Sequence, residues 1–213
     1  MPDTPLESRR PEWQSWKEAT FGSEYMIWHD GLDTDAVARL TGEARERGLE
    51  MLRLGVALGD AHAAQALAAC GDTGEVEEMR RQMAHAQGSS RVKLALAIHK
   101  VAPEPALATE LMFVLQRHPW WGDRIDAAMG LRHFSGADDE AALLDSVSGD
   151  PDYLVRYHAS DSLLVRWGVT PADVASHKDI FPDICGPREG SPTPEDFERF
   201  AVARQKLLAL RPA

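Results

Sequence analysis

The sequence predicts an all-α protein built from stacked helix hairpins. Three observations predict it: a pattern that recurs about every 32 residues, apolar positions at helical spacing, and very few strand signals. Four segments align: 58–72, 89–103, 122–136 and 154–168, with Asp60, Arg91, Arg124 and Arg156 at the third position and intervals of 31, 33 and 32 residues. A steady period in this range marks a solenoid, because one hairpin cannot bury its apolar face alone.

The columns of that alignment read as one helix. Leu67, Ile98, Leu131 and Leu163 form a large apolar column, and Ala63, Leu94, Ala127 and Ala159 stand four residues earlier. Three residues later come Cys70, Val101, Phe134 and then Arg166, so the stripe has the four-and-three spacing of a helix face. Neighbouring columns are small, Ala64, Ala95, Ala128 and Ser160 in one and Ala66, Ala97, Gly130 and Ser162 in another, which lets helices approach closely. Each segment is therefore the second helix of a hairpin. The first helices are expected over 45–58, 75–86, 106–118 and 139–148. Between hairpins lie breakers, among them Gly71-Asp72-Thr73-Gly74, Pro103-Glu104-Pro105, Gly136-Ala137-Asp138 and Gly168-Val169-Thr170-Pro171.

Trp13, Trp16, Phe21, Tyr25, Ile27 and Trp28 crowd the N-terminal region, as a cap on the first repeat or as an aromatic contact site. Pro182, Gly186, Pro187, Gly190 and Pro192 mark a loop. Thr193-Pro194-Glu195-Asp196 then reads as an N-cap with proline in the first turn of a C-terminal capping helix. The expected organisation is an N-terminal cap over 1–34, repeats over 35–72, 73–103, 104–136 and 137–168, and a loop with capping helix over 169–213.

Asp150-Pro151-Asp152-Tyr153-Leu154-Val155-Arg156, followed by Ala159 and Leu163, resembles the HEAT-like repeat in its short form, found in phycobilin-lyase-type and many bacterial proteins. The resemblance covers about residues 35–168 and is weakest in the first repeat, where Asp60 replaces the arginine that the family prefers. It implies a right-handed α-α superhelix of the HEAT/armadillo-like kind, with first helices on the convex side and second helices on the concave side.

The chain carries 34 acidic and 23 basic residues, a formal charge of −11. Such a balance disfavours nucleic-acid binding, which draws on Lys and Arg, and favours solubility or encounter with a basic partner. Cys70 and Cys185 form no metal or redox motif, and Cys70 reads as a small buried apolar residue. Met1-Pro2-Asp3-Thr4-Pro5 lacks the basic start and apolar run of a signal peptide, and no apolar stretch approaches the ~20 residues of a membrane span. A cytoplasmic protein is expected.

No catalytic constellation, metal site or cofactor motif is expected. His158 and Asp161 share a helix face, but zinc wants three or four ligands. Among HEAT-repeat enzymes, deoxyhypusine hydroxylase holds iron through paired His-Glu dipeptides, and this sequence has no His-Glu. The alkylpurine DNA glycosylases grip DNA on a basic face, at odds with the charge here. The reading is a non-enzymatic protein-binding scaffold, of which an immunity or antitoxin protein facing a basic toxin is one version. A lyase-type or metal-dependent enzyme, or its accessory, is the second reading and a nucleic-acid-binding solenoid the third. The outward columns of the second helices are expected to include His62, Lys93, Asp126 and His158, then Lys100, His133 and Val165. Trp, Tyr and Arg are enriched at binding hot spots. The expected contact residues are accordingly Trp120, Trp121, Asp123, Arg124, Asp126, Tyr153, Arg156, Tyr157, His158 and Asp161. Against this, Arg124 and Arg156 are candidates for an internal ladder with Asp123, Asp150 and Asp152, and one of the two tryptophans for a plug between repeats.

Overall fold

The computed structural model describes residues 5–169, 180–184, 186 and 191–212, and all the regular structure among them is helical. The chain divides after Glu104 into two compact units. In the first, α1 spans Arg10–Phe21, α2 Glu24–Asp30, α3 Gly42–Ala57, α4 Ala61–Ala69, α5 Val76–His85 and α6 Gly88–Val101. In the second, α7 spans Ala108–Arg117, α8 Trp121–Gly130, α9 Ala137–Gly149, α10 Tyr153–Arg166, α11 Ile180–Ile184 and α12 Pro194–Leu208.

In the first unit α3 pairs with α4 and α5 with α6, and α4 lies against α6. The second unit repeats the arrangement: α7 pairs with α8, α9 with α10, and α8 lies against α10. The small columns make these contacts close. Ala63, Ala64, Ala66, Ala95, Ala127, Ala128, Ala159, Ser160 and Ser162 are all fully buried, as are Leu67, Ile98, Leu131 and Leu163. Burying such a leucine or isoleucine contributes about 1.5–3 kcal/mol, so the columns hold the hairpins together.

The helix ends follow the sequence chemistry. Asp60 caps α4, its Oδ1 accepting the backbone N–H of His62 at 2.9 Å. Asp152 caps α10 in the same way through Leu154 N–H. Thr193 and Asp196 form a reciprocal capping box on α12 with Pro194 in its first turn. Gly59, at φ +83°, takes the left-handed turn between α3 and α4 that other residues resist.

Three features differ from expectation. Pro182, expected in a loop, lies within the short helix α11. Helix α8 ends at Gly130 and tightens into a 3₁₀ turn over Leu131–His133, so Phe134 reaches the core from extended backbone. Cys70 is only half-buried, because it is the C-cap of α4 and lies past the packed stretch. Its surroundings still push the thiol pKa up, chiefly by burial.

The ends of the chain add to the two units. In α1, Trp13 is 2% exposed and lies over Gly55 of α3, where a Cβ would come within 2.6 Å of the indole. Its neighbours in α2 do the opposite: Tyr25 and Trp28 are 69% and 70% exposed. Helix α12 packs on α9 through buried Phe200, Ala203 and Leu207, and α11 packs on α10 and α12. Thr170, Pro171, Cys185, Pro187 and Gly190, which entered the sequence reading, lie outside the described residues.

Candidate functional site

The expected contact residues separate into three sets. The first is structural. Arg124 is buried, with Nε 2.8 Å from Asp150 Oδ2 and Nη2 3.0 Å from Asp150 Oδ1, a bidentate pair; Nη1 donates to the carbonyls of His118 and Pro119. Asp123 is buried with Oδ2 2.9 Å from His118 Nδ1. Arg156 is fully buried. Its Nε donates to Ile184 O at 2.8 Å, Nη1 to Asp150 O at 2.7 Å and Nη2 to Gly186 O at 2.7 Å, and the guanidinium stacks on the Phe200 ring at 3.8 Å. These three side chains spend their polar groups inside the second unit, Arg156 with no exposed surface and Asp123 and Arg124 with 8% each. A planar five-donor fork suits them to gathering carbonyls and carboxylates inside a fold.

The second set is exposed. Trp120 is 49%, Trp121 40% and Tyr157 40% exposed. Neither tryptophan plugs a gap between repeats. The indoles lie 5.8 Å apart, and Trp120 folds back over Gly122, where a Cβ would come within 2.7 Å of its ring. The Tyr157 ring lies 5.2 Å from His158 and 5.6 Å from Phe181 of α11.

The third set is half-buried: Asp126, Tyr153, His158 and Asp161. Asp161 accepts from Arg132 Nη2 at 2.9 Å, and the same nitrogen donates to Ser162 Oγ at 3.2 Å. Burial holds the His158 imidazole below its ordinary pKa; Asp161 and Asp126 pull it up, and Arg132 pushes it further down. Asp126 of α8 and His158 and Asp161 of α10 lie close enough to act on one another, beside Arg132 of the turn that follows α8; sequence reasoning missed Arg132 and the exposed Met129 of α8. Met129 is three residues after Asp126, so helical spacing carried the signal.

In the first unit, the column position that departs from arginine is itself a centre. Asp60 Oδ2 accepts from Lys17 Nζ at 2.7 Å and from Trp13 Nε1 at 3.1 Å, while Oδ1 serves as the helix cap. Lys17 Nζ also lies 3.4 Å from His62 Nδ1. Burial works to raise the Asp60 carboxyl, but Lys17, with help from His62 and Trp13, overcomes it and holds the carboxyl below its usual value. The signal for this node was Trp13 and Lys17 standing four apart on α1, opposite the one acidic residue of the arginine column.

The two units are thus all-α hairpin structures, one centred on a carboxylate node and the other on an aromatic and acidic helix face. Compared with models of protein families, with curated proteins and with solved structures, the chain matches none. Among the described residues, no group of three or more His, Cys, Asp or Glu side chains is placed to hold a metal ion, and no helix is long and apolar enough to cross a membrane.

Proposed function

We propose that this chain is a non-enzymatic protein-binding scaffold, and that the outward face of α8 and α10 receives a basic protein partner. The observation that carries the reading is the composition of that face. Trp121, Met129, Tyr157 and Val165 are each at least 37% exposed, and they share it with Asp126, His158 and Asp161. Apolar side chains left in water beside carboxylates suit a partner that brings apolar contacts and positive charge. The −11 formal charge would steer such a partner to the surface and leave the aromatic contacts to set its residence time. A HEAT/armadillo-like right-handed superhelix, with the second helices on its concave side, is the arrangement that this reading gives the hairpins. An immunity or antitoxin protein that covers a basic toxin in the cytoplasm is its most concrete form.

The test is capture of tagged protein from its host, followed by mass spectrometry. Trp121→Ala with Tyr157→Ala, and Asp126→Lys, run beside wild type and a Val202→Ala control on α12. One stoichiometric basic protein, lost in the first two and kept in the control, supports the reading. A metal or pigment retained in place of any protein, or a partner indifferent to both variants, overturns it.

A further inference from the structure

Helix α2 keeps only Ile27 in the core. Tyr25 and Trp28 are the two most exposed large apolar side chains among the described residues, and Met26 beside them is 52% exposed. The two rings stand three residues apart with centroids 6.2 Å from each other, and His29 stacks on Tyr25 at 5.8 Å. Aromatic rings dominate the energetics of contact surfaces, so a helix that leaves two of them together in water marks a docking face.

The charge around these rings says what covers them. From Glu18 to Ala38 the chain has no Lys or Arg. The same short stretch carries Glu18, Glu24, Asp30, Asp33 and Asp35, almost half of the net −11. Asp33 is committed to Arg39, and Asp30 lies 2.7 Å from His29 Nδ1. Glu24 is exposed and has no ion-pair partner among the described residues. It stands four residues before Trp28, on the same side of the helix.

That charge sorts the possible occupants. A second copy would set the same acids against each other across an isologous contact. A helix lying on a membrane surface carries Lys and Arg toward anionic headgroups, and α2 has neither. Arginine in a protein partner meets both features of the face: its planar guanidinium stacks on indole and phenol rings and forks onto carboxylates. We propose that the Tyr25–Trp28 face of α2 docks a protein segment in which arginine stands beside apolar side chains, the guanidinium lying on the rings and pairing with Glu24. This docking belongs to the first unit and does not depend on the function proposed for the α8–α10 face.

The test is titration of the full chain, at physiological ionic strength, with a synthetic peptide of repeated Arg-Leu-Gly and with its counterpart of repeated Glu-Leu-Gly. The indole N–H of Trp28, assigned with Trp28→Phe in a ¹⁵N-labelled sample, gives the location. Trp28→Ala and Glu24→Lys are the variants, each checked for unchanged helical content. Trp121→Ala with Tyr157→Ala separates this face from the other aromatic surface. The expected result is saturable binding of the arginine peptide with a shift of the Trp28 indole, weakened about tenfold in both variants and kept in the Trp121 and Tyr157 variant. No saturation, equal binding of the glutamate peptide, or equal affinity in Trp28→Ala overturns the proposal. Binding lost only in the Trp121 and Tyr157 variant also overturns it, and leaves the α8–α10 reading standing. Sedimentation of the free chain and flotation with phosphatidylserine vesicles run alongside. A dimer or a vesicle complex that Trp28→Ala abolishes gives the face to another occupant and overturns the proposal as well.

Discussion

Replacing Arg156 by Met puts the architecture of the second unit to its most direct test. The methionine keeps much of the side-chain volume and removes three donors. The carbonyls of Asp150, Ile184 and Gly186, at 2.7–2.8 Å from the guanidinium, lose those bonds, and Phe200 loses the cation stacked at 3.8 Å. A hydrogen bond from a charged donor contributes about 1.5–3 kcal/mol net, and a stripped buried acceptor costs about 1–3 kcal/mol. Desolvation of the arginine is recovered, and water can reach the part-buried Gly186 side, so the terms do not add in full. A loss of about 3–5 kcal/mol is expected, from three acceptors stripped at about 1–3 kcal/mol each less the recovered desolvation. Arg156→Lys should fall between the two, since one ammonium cannot span three carbonyls in a plane. Urea unfolding followed by circular dichroism gives the magnitude. Amide exchange gives the location: protection in α11 and α12 should fall while α4 is unchanged. A Met variant less than about 1 kcal/mol below wild type would refute the assignment of Arg156 as the anchor of these helices.

Three further predictions follow from the same contacts. Gly55→Ala should gain about 1 kcal/mol of helix propensity, yet the new Cβ would sit 2.6 Å from both Ala63 Cβ and the Trp13 ring; overpacking of about 1–3 kcal/mol should win, and a more stable variant would sink the close-packing argument. The Asp60 carboxyl is held below its ordinary value in the folded state, so its stabilising effect should be complete above about pH 4 and vanish as pH falls through the lower folded value. Asp60→Asn should therefore flatten the acid limb of a stability-versus-pH curve, and a parallel curve would count against the Lys17–Asp60 node. His158 is shifted the same way, with the same sign in a higher pH window: its folded form resists protonation, so stability should drop as pH falls below about 6.5 and level off below the folded value. A His158→Gln variant should lose that drop; a drop that persists would show that it does not arise from His158.

The helices and their buried columns were legible because each rests on local spacing. Leu67, Ile98, Leu131 and Leu163 repeat at hairpin intervals, and the period that aligns them also assigns them to the core. Side-chain partnership was less legible. One column holds Asp60, Arg124 and Arg156, and the three do different work: a cap with a lysine partner, a bidentate ion pair and a clamp on carbonyls. The deciding partners, Lys17, Asp150 and the carbonyls of Ile184 and Gly186, lie 26 to 43 residues away, outside what the column itself records. Arg166 carries the same lesson. It occupies a column otherwise held by Cys70, Val101 and Phe134, and its side chain is buried while donating to the carbonyls of Leu131 and Gly136. Of the candidate site, the exposed aromatics were readable from residue type. The burial of Asp123, Arg124 and Arg156 was legible only as one of two readings, since the arginine fork serves contact surfaces and internal clamps alike.

Asp150 receives Arg124 on its carboxylate, caps the turn through Asp152 N–H, and gives its own carbonyl to Arg156. One residue in the α9–α10 turn thus ties the start of α8 to the first turn of α10. Opening either hairpin of the second unit strips contacts from the other at this junction. A stack of hairpins otherwise tends to fray from its ends one pair at a time. With Asp150 as a shared joint, α7 to α10 should open as a single cooperative block, and their slowest-exchanging amides should report one common free energy.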